Sequence, residues 1–278
     1  MAAWLIAHRN LVDGIGIDSI MGLSVWIVLA CGRVSLGNTG FAAIGAIVTV
    51  DLAARHDCPL VVAAAAGVAS AAAAAYLLGF ALARIGNAQF AIATLVFGVA
   101  ITDGVVIPFG AKDRVAAIAF TPHIYAALGL TALVLWLYMR SREGRAASAV
   151  AQDERAASGV GIDPARARHV AFVAGGSIAG LCGCLMVLHR GSIIVQSFGF
   201  DQNVAALAAV VVGGSASVAG PLVGSVAIAI SMLVVPSLSS YRAIFQSALL
   251  LVCSLALPGG LASIASDVMR RFSRAGGV

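Results

Sequence analysis

The chain has 278 residues, of which 61% are hydrophobic, 10% charged and 6% aromatic, with a mean hydropathy of +1.01. A soluble domain of this length needs far more charge to cover its surface, so a water-soluble globule is excluded. The formal net charge of +5 does not call for nucleic acid, because basic residues gather in the cytoplasmic loops of membrane proteins.

The apolar residues are mostly Ala, Val, Leu, Ile and the 31 glycines, small side chains that let transmembrane helices approach closely. The fold class expected is all-α: a polytopic helical membrane protein with about eight or nine spans. The sequence is expected to form one transmembrane domain over 1–278, and no cleavable leader is evident in 1–7, which lacks a basic start.

Runs long enough to cross a bilayer, about 17–25 residues, recur along the chain. The first covers 15–32. Arg33 and Ser35–Asn38 interrupt it, and a second runs over 41–54. A third occupies 59–83 and a fourth 88–107, followed by a loop at 109–123 that holds Lys112, Asp113 and Arg114. A fifth lies at 124–139 and a sixth at 169–188. A short apolar piece at 204–212 is broken by Gly213–Gly214–Ser215 and resumes after Gly220–Pro221 to 235; a last run covers 243–257.

Between the fifth and sixth runs lies a polar island, 141–168, in which nine of 28 residues are charged. Residues 146–157 are good helix formers, and Ser158–Gly159 is a plausible stop. Asp163–Pro164 then starts the next helix, with Asp as N-cap and Pro at the first helical position. A short helix held between two spans in this way is a docking lever for a soluble partner. Placing the island in the cytoplasm puts eleven of the 17 basic residues on the inner side, with the C-terminus inside and the N-terminus outside.

The breaks at 35–40 and 213–217 are small and polar at membrane depth. Unpaired backbone cannot face lipid, so each is buried in protein or lines a wet cavity; paired breaks in two halves of a transporter mark a translocation path. Close helix crossings are the other reading, and Gly176-x-x-x-Gly180 and Gly220-x-x-x-Gly224 fit it. Few polar groups fall within the runs: Gln89, Thr94 and Asp103, the last read as hydrated near the outer interface.

No catalytic constellation is present, and the chain is not expected to be an enzyme. It has no Gly-x-x-x-x-Gly-Lys-Ser/Thr phosphate-binding loop, so energy for pumping must come from a partner or an ion gradient. Cys182 and Cys184 stand about 200° apart on a helix and make poor metal ligands. No metal or cofactor is expected.

Several stretches in order resemble the branched-chain amino acid ABC-importer permeases. They are Ser141–Arg145 with 151–161, Ser35–Asn38 with Phe41 and Gly45–Ala46, Ala91–Leu95, Val212–Ser215 with Gly220–Pro221 and Gly224, and Pro258–Leu261. The form of the charged loop and the 91–95 block is most similar to the M-type member of a permease pair. Asn38 stands where histidine is usual, Val99 where an acidic residue is frequent, and the N-terminus is short of one span.

The resemblance implies the membrane subunit of an importer of branched-chain or related amino acids in the bacterial inner membrane, working by alternating access. Its partners would be a second permease, two cytoplasmic ATP-binding subunits and an extracytoplasmic binding protein. Arg145, Asp153, Glu154, Arg155, Gly159 and Gly161 would engage the ATPase. The path would be lined by Ser35, Asn38, Thr39, Phe41, Gln89, Thr94, Gly213, Gly214 and Ser215. Relatives that carry urea and short amides share this class; a gradient-driven secondary transporter and a non-transporting scaffold are the competing classes.

Overall fold

The computed structural model describes residues 9–56, 58–83, 85–106, 121–193, 195–234, 247–248 and 250–252. These residues form helices: α1 (Arg9–Leu29), α2 (Asn38–Arg55), α3 (Leu60–Ala81), α4 (Asn87–Ile101), α5 (Thr121–Arg140), α6 (Arg142–Gln152), α7 (Glu154–Gly159), α8 (Pro164–Arg190), α9 (Phe200–Gly213) and α10 (Ala219–Val234). A π-helical turn, Thr102–Val106, extends α4, and a 3-10 turn, Val195–Phe198, precedes α9. No strand occurs among the described residues, so the all-α expectation holds.

Four helices, α1, α3, α5 and α8, are long and apolar enough to cross a membrane; α9 and α10 are shorter apolar helices. The expected last run, the loop at 109–123 up to residue 120 and the motif at Pro258–Leu261 lie wholly or largely outside the described residues, while 121–123 belong to α5.

The 27-residue α8 is the hub, packing against α1, α2 and α3. At 1.5 Å per residue it spans roughly 40 Å. Its start is fixed by Asp163, whose Oδ1 accepts the backbone N–H groups of Ala165 (2.9 Å) and Arg166 (3.3 Å), with Pro164 in the first turn. Its end is fixed by Gly191 at φ 72, the left-handed conformation that glycine adopts without strain.

Small residues set how close α2, α3 and α8 come. A Cβ built on Gly183 would collide with the carbonyl of Ala42, and one on Gly176 or Gly180 with the methyl of Ala75 or Ala71. The Gly176-x-x-x-Gly180 pair is therefore a tight crossing of α8 on α3. On α3 the buried positions are Ala63, Gly67, Ala71, Ala75 and Gly79, every fourth residue. The remainder of that helix leaves Val61, Leu77 and Phe80 more than two-thirds exposed, as a face bathed in lipid would be. The two cysteines diverge as expected: Cys182 Sγ donates to the carbonyl of Ile17 on α1 and Cys184 Sγ to that of Gly45 on α2, each at 3.5 Å.

Two local expectations are corrected. Among the described residues the first helix already runs at Arg9 rather than from residue 15, which brings Asp13 inside it. The helix expected over 146–157 is two helices that meet at Asp153, whose backbone is extended (φ −152, ψ 108). Helix-forming composition does not resist one Asp whose carboxylate caps the next turn.

Candidate translocation path and coupling loop

The charged island is a capped, ion-paired assembly at the N-terminal end of α8. Ser141 Oγ accepts the N–H of Gly144 at the start of α6. Asp153 ends α6 and begins α7, its Oδ1 accepting the N–H groups of Arg155 (2.8 Å) and Ala156 (3.0 Å). Satisfying these otherwise orphaned donors is what fixes a six-residue helix that could not stand alone. Val150, Ala157 and Ala167 form a small apolar cluster beneath.

Arg168 grips Glu154 through two hydrogen bonds, 2.8 and 2.7 Å, and Arg166 meets Glu143 at 3.1 Å. The Arg168 hydrogen bond holds the Glu154 carboxyl below the usual range. Arg145, Arg155, Gly159 and Gly161 are exposed on this loop, with Gly161 at φ 84 as the turn between α7 and α8.

The loop sits directly on the first break. A Cβ on Gly32 would lie 3.1 Å from the Cα of Ala151. The neighbouring Arg33 is buried; its guanidinium donates to the carbonyl of Ile85 (3.0 Å) and to Asn87 Oδ1 (3.3 Å) and lies over the Phe90 ring. The entry of α4 is thus tied to the break that α6 covers.

The break itself is a closed polar network. Ser35 Oγ donates to Asn38 Oδ1 (2.6 Å), and Asn38 Nδ2 donates to Ser24 Oγ (3.0 Å) on α1. Thr39 N–H donates to Asn203 Oδ1 (3.3 Å), while Asn203 Nδ2 donates back to Thr39 Oγ1 (2.6 Å). Leu36 N–H donates to Thr94 Oγ1 on α4 (3.2 Å). Four helices, α1, α2, α4 and α9, are pinned together through a gap in the helical backbone. Phe41 stands apart from this network, fully buried between the rings of Phe97 and Phe172. Gln89 is exposed and caps α4, its Oε1 accepting the N–H of Gly86.

The second break is a tight helical hairpin. Gly213 and Gly220 are in backbone contact, Gly224 abuts Ala209, and Gly214 has φ 105. Trp26 Nε1 on α1 donates to the carbonyl of Ser215 (2.9 Å). Both breaks therefore converge on α1, one through Ser24 and one through Trp26.

At the opposite end of α8 a cavity of about 600 Å³ lies among α1, α8, α9 and α10. Asp18, Gln202 and Arg190 contribute polar groups to its wall; Gln202 Nε2 donates to Asp18 Oδ1 at 2.8 Å. Beside it, fully buried Asp13 stands 3.6 Å from His189 Nδ1. Asp13, Asp18, Gln202 and Asn203 are not among the site residues expected from the sequence. The available signal was a carboxylate inside an apolar run, which in a membrane helix is functional by default. Asp103, which received that attention, is exposed on the π-helical turn.

The model of the branched-chain amino acid transport system / permease component family matches residues 11–254. The chain belongs to this family. Its relatives include the high-affinity branched-chain amino acid transport system permease protein LivM of Salmonella typhimurium strain LT2, 28% identical over 90% of this chain and 67% of the relative. LivM of Escherichia coli K12 is 27% identical over the same shares. LivH of Escherichia coli K12 is 33% identical, over 48% of this chain and 44% of its own length. No solved structure matches. The broad coverage by the LivM proteins agrees with the M-type resemblance, and family membership with the apolar helices makes this a membrane permease.

Proposed function

We propose that the chain is the membrane-spanning subunit of an ATP-driven importer for branched-chain or related amino acids in the bacterial cytoplasmic membrane. It works with a second permease, two cytoplasmic ATP-binding subunits and a substrate-binding protein outside. The observation that carries this reading is the island at 141–168. It is not a solvated loop but two short capped helices, braced by the Glu154–Arg168 pair, with α6 seated on the break between α1 and α2.

Such an assembly transmits force: a push on Arg145, Arg155 or the exposed turn at 159–161 reaches Gly32 and Arg33, and through them the polar network at Ser35–Thr39. ATP can drive the path between states only if the loop meets the ATPase differently in each. Ser35, Asn38, Thr39 and Thr94 at the first break and Gly213–Ser215 at the second lie where two discrete packings would open or close a passage. Phe41 and Gln89 serve that passage at its margins, as a packing wedge and a helix cap.

Uptake of radiolabelled leucine into proteoliposomes tests the reading. The complete assembly should accumulate leucine only with ATP inside and binding protein outside. Uptake by this chain alone, abolished by a protonophore, would identify a gradient-driven carrier instead.

A further inference from the structure

The cavity at the far end of α8 is built unlike a packing defect. Its volume, about 600 Å³, falls within the range of small-molecule sites, and its wall combines apolar with charged groups. Ile15, Met186, Ala209 and Ile228 contribute apolar surface, while Asp18 and Arg190 supply one carboxylate and one guanidinium beside His189 and Gln202.

Asp18 is oriented rather than loose. Gln202 of α9 donates to its Oδ1 at 2.8 Å, which fixes the carboxylate in the wall. Arg190 is held by a hydrogen bond to Ser197 Oγ, and its fork of five donors suits a carboxylate. Gly14 opens the α1 side, because a Cβ there would meet nothing within 4 Å.

We propose that this cavity is a binding site, within the permease itself, for a zwitterionic amino acid with a branched apolar side chain. Asp18 receives the ammonium, Arg190 the carboxylate, and the apolar wall the side chain. The assignment rests on the importer reading above and deepens it: the site lies at the end of the bundle away from the ATPase-facing loop, where a delivered solute first enters. One charged pole is not enough for a zwitterion, and a purely apolar cleft would reject it, since each unpaired charge resists desolvation.

The test is saturable binding of radiolabelled L-leucine to the full chain in lipid nanodiscs, without the binding protein. 4-Methylpentanoate, which is leucine without the ammonium, and isopentylamine, which is leucine without the carboxylate, serve as competitors. Leucine is expected to displace the label at least tenfold better than either. Asp18→Asn should weaken leucine binding at least tenfold. Gly14→Met, which fills the cavity from a position with room, should abolish it with the unfolding midpoint unchanged, so a folding failure of the first variant does not decide the matter.

No saturable leucine binding by the wild type, competition by 4-methylpentanoate or isopentylamine as strong as that by leucine, or wild-type affinity in Gly14→Met overturns the site. ATP-driven uptake by the complete assembly separates the two readings. Import with no binding in nanodiscs overturns the site and keeps the importer; Asp18-dependent binding without ATP-driven import supports the site and overturns the importer.

Discussion

Arg168, on the second turn of the hub helix α8, reaches back fourteen residues to hold both carboxylate oxygens of Glu154 at 2.8 and 2.7 Å. The pair locks the short α7 to the start of a transmembrane helix. A push on α7 is then a push on α8 rather than a flexing of loop. The Glu154 side chain is half exposed while that of Arg168 is only 11% exposed, so Glu154 pairs a largely buried guanidinium and fixes local geometry.

Glu154→Ala leaves that guanidinium without its acceptor and is therefore expected to cost about 1–3 kcal/mol in stability, too little to unfold the bundle. ATP-driven uptake by the assembly should nevertheless fall severalfold, with membrane insertion intact. Arg155→Ala, which removes an exposed cation without touching the pair, should weaken ATPase docking while sparing the stability. Co-purification of the ATP-binding subunits and an uptake assay check both; full uptake by both variants would remove these residues from the coupling surface.

The same pair predicts a pH dependence. Its hydrogen bond lowers the folded-state pKa of Glu154, so its contribution is present above the unfolded carboxylate's pKa and is lost as pH falls through the folded value. The thermal midpoints of wild type and Glu154→Gln should differ near neutral pH and converge in acid. A constant gap across that range would show that the carboxylate charge contributes nothing there.

Much of this architecture was legible in the chain. Asp163–Pro164 announced the start of α8, since a capping Asp followed by a residue with no N–H to waste is a local signal. The apolar runs marked the helices for the same reason: bilayer thickness sets their length. Asp153 was not legible as a pivot, because the helix formers around it mask one residue whose value lies in its extended backbone. Asp18 is legible as a carboxylate inside an apolar run, but its partner Gln202, 184 positions away, is not. Thr39 and Asn203, separated by 164 positions, were hidden in the same way. Networks made by distant polar residues have no period for a sequence reading to detect.

The Thr39–Asn203 pair should behave as one unit. Asn203→Leu leaves the Thr39 N–H and hydroxyl buried beside an apolar side chain, at a cost of about 1–3 kcal/mol. A double-mutant cycle with Thr39→Val should show a coupling energy of about 0.5–3 kcal/mol, as for directly bonded neighbours. Additive effects in thermal unfolding would mean that α2 and α9 are not joined there.

The last prediction separates close approach from helix propensity, two roles that glycine plays in this fold. Gly183 abuts the Ala42 carbonyl, whereas a Cβ on Gly129 of α5 would meet nothing within 4 Å. Adding a methyl at Gly183 forces α8 away from α2, with an overpacking cost of about 1–3 kcal/mol. The same methyl at Gly129 only reduces the entropy lost by the helix backbone, a gain of roughly 0.5–1 kcal/mol. Gly183→Ala should thus lower the thermal midpoint in detergent and Gly129→Ala raise it slightly. Because α8 carries the loop at one end and the cavity at the other, Gly183→Ala should also depress uptake, while Gly129→Ala leaves it unchanged. Equal midpoints for the two variants would show that α8 and α2 can part without penalty, and that small residues do not set the spacing of the hub.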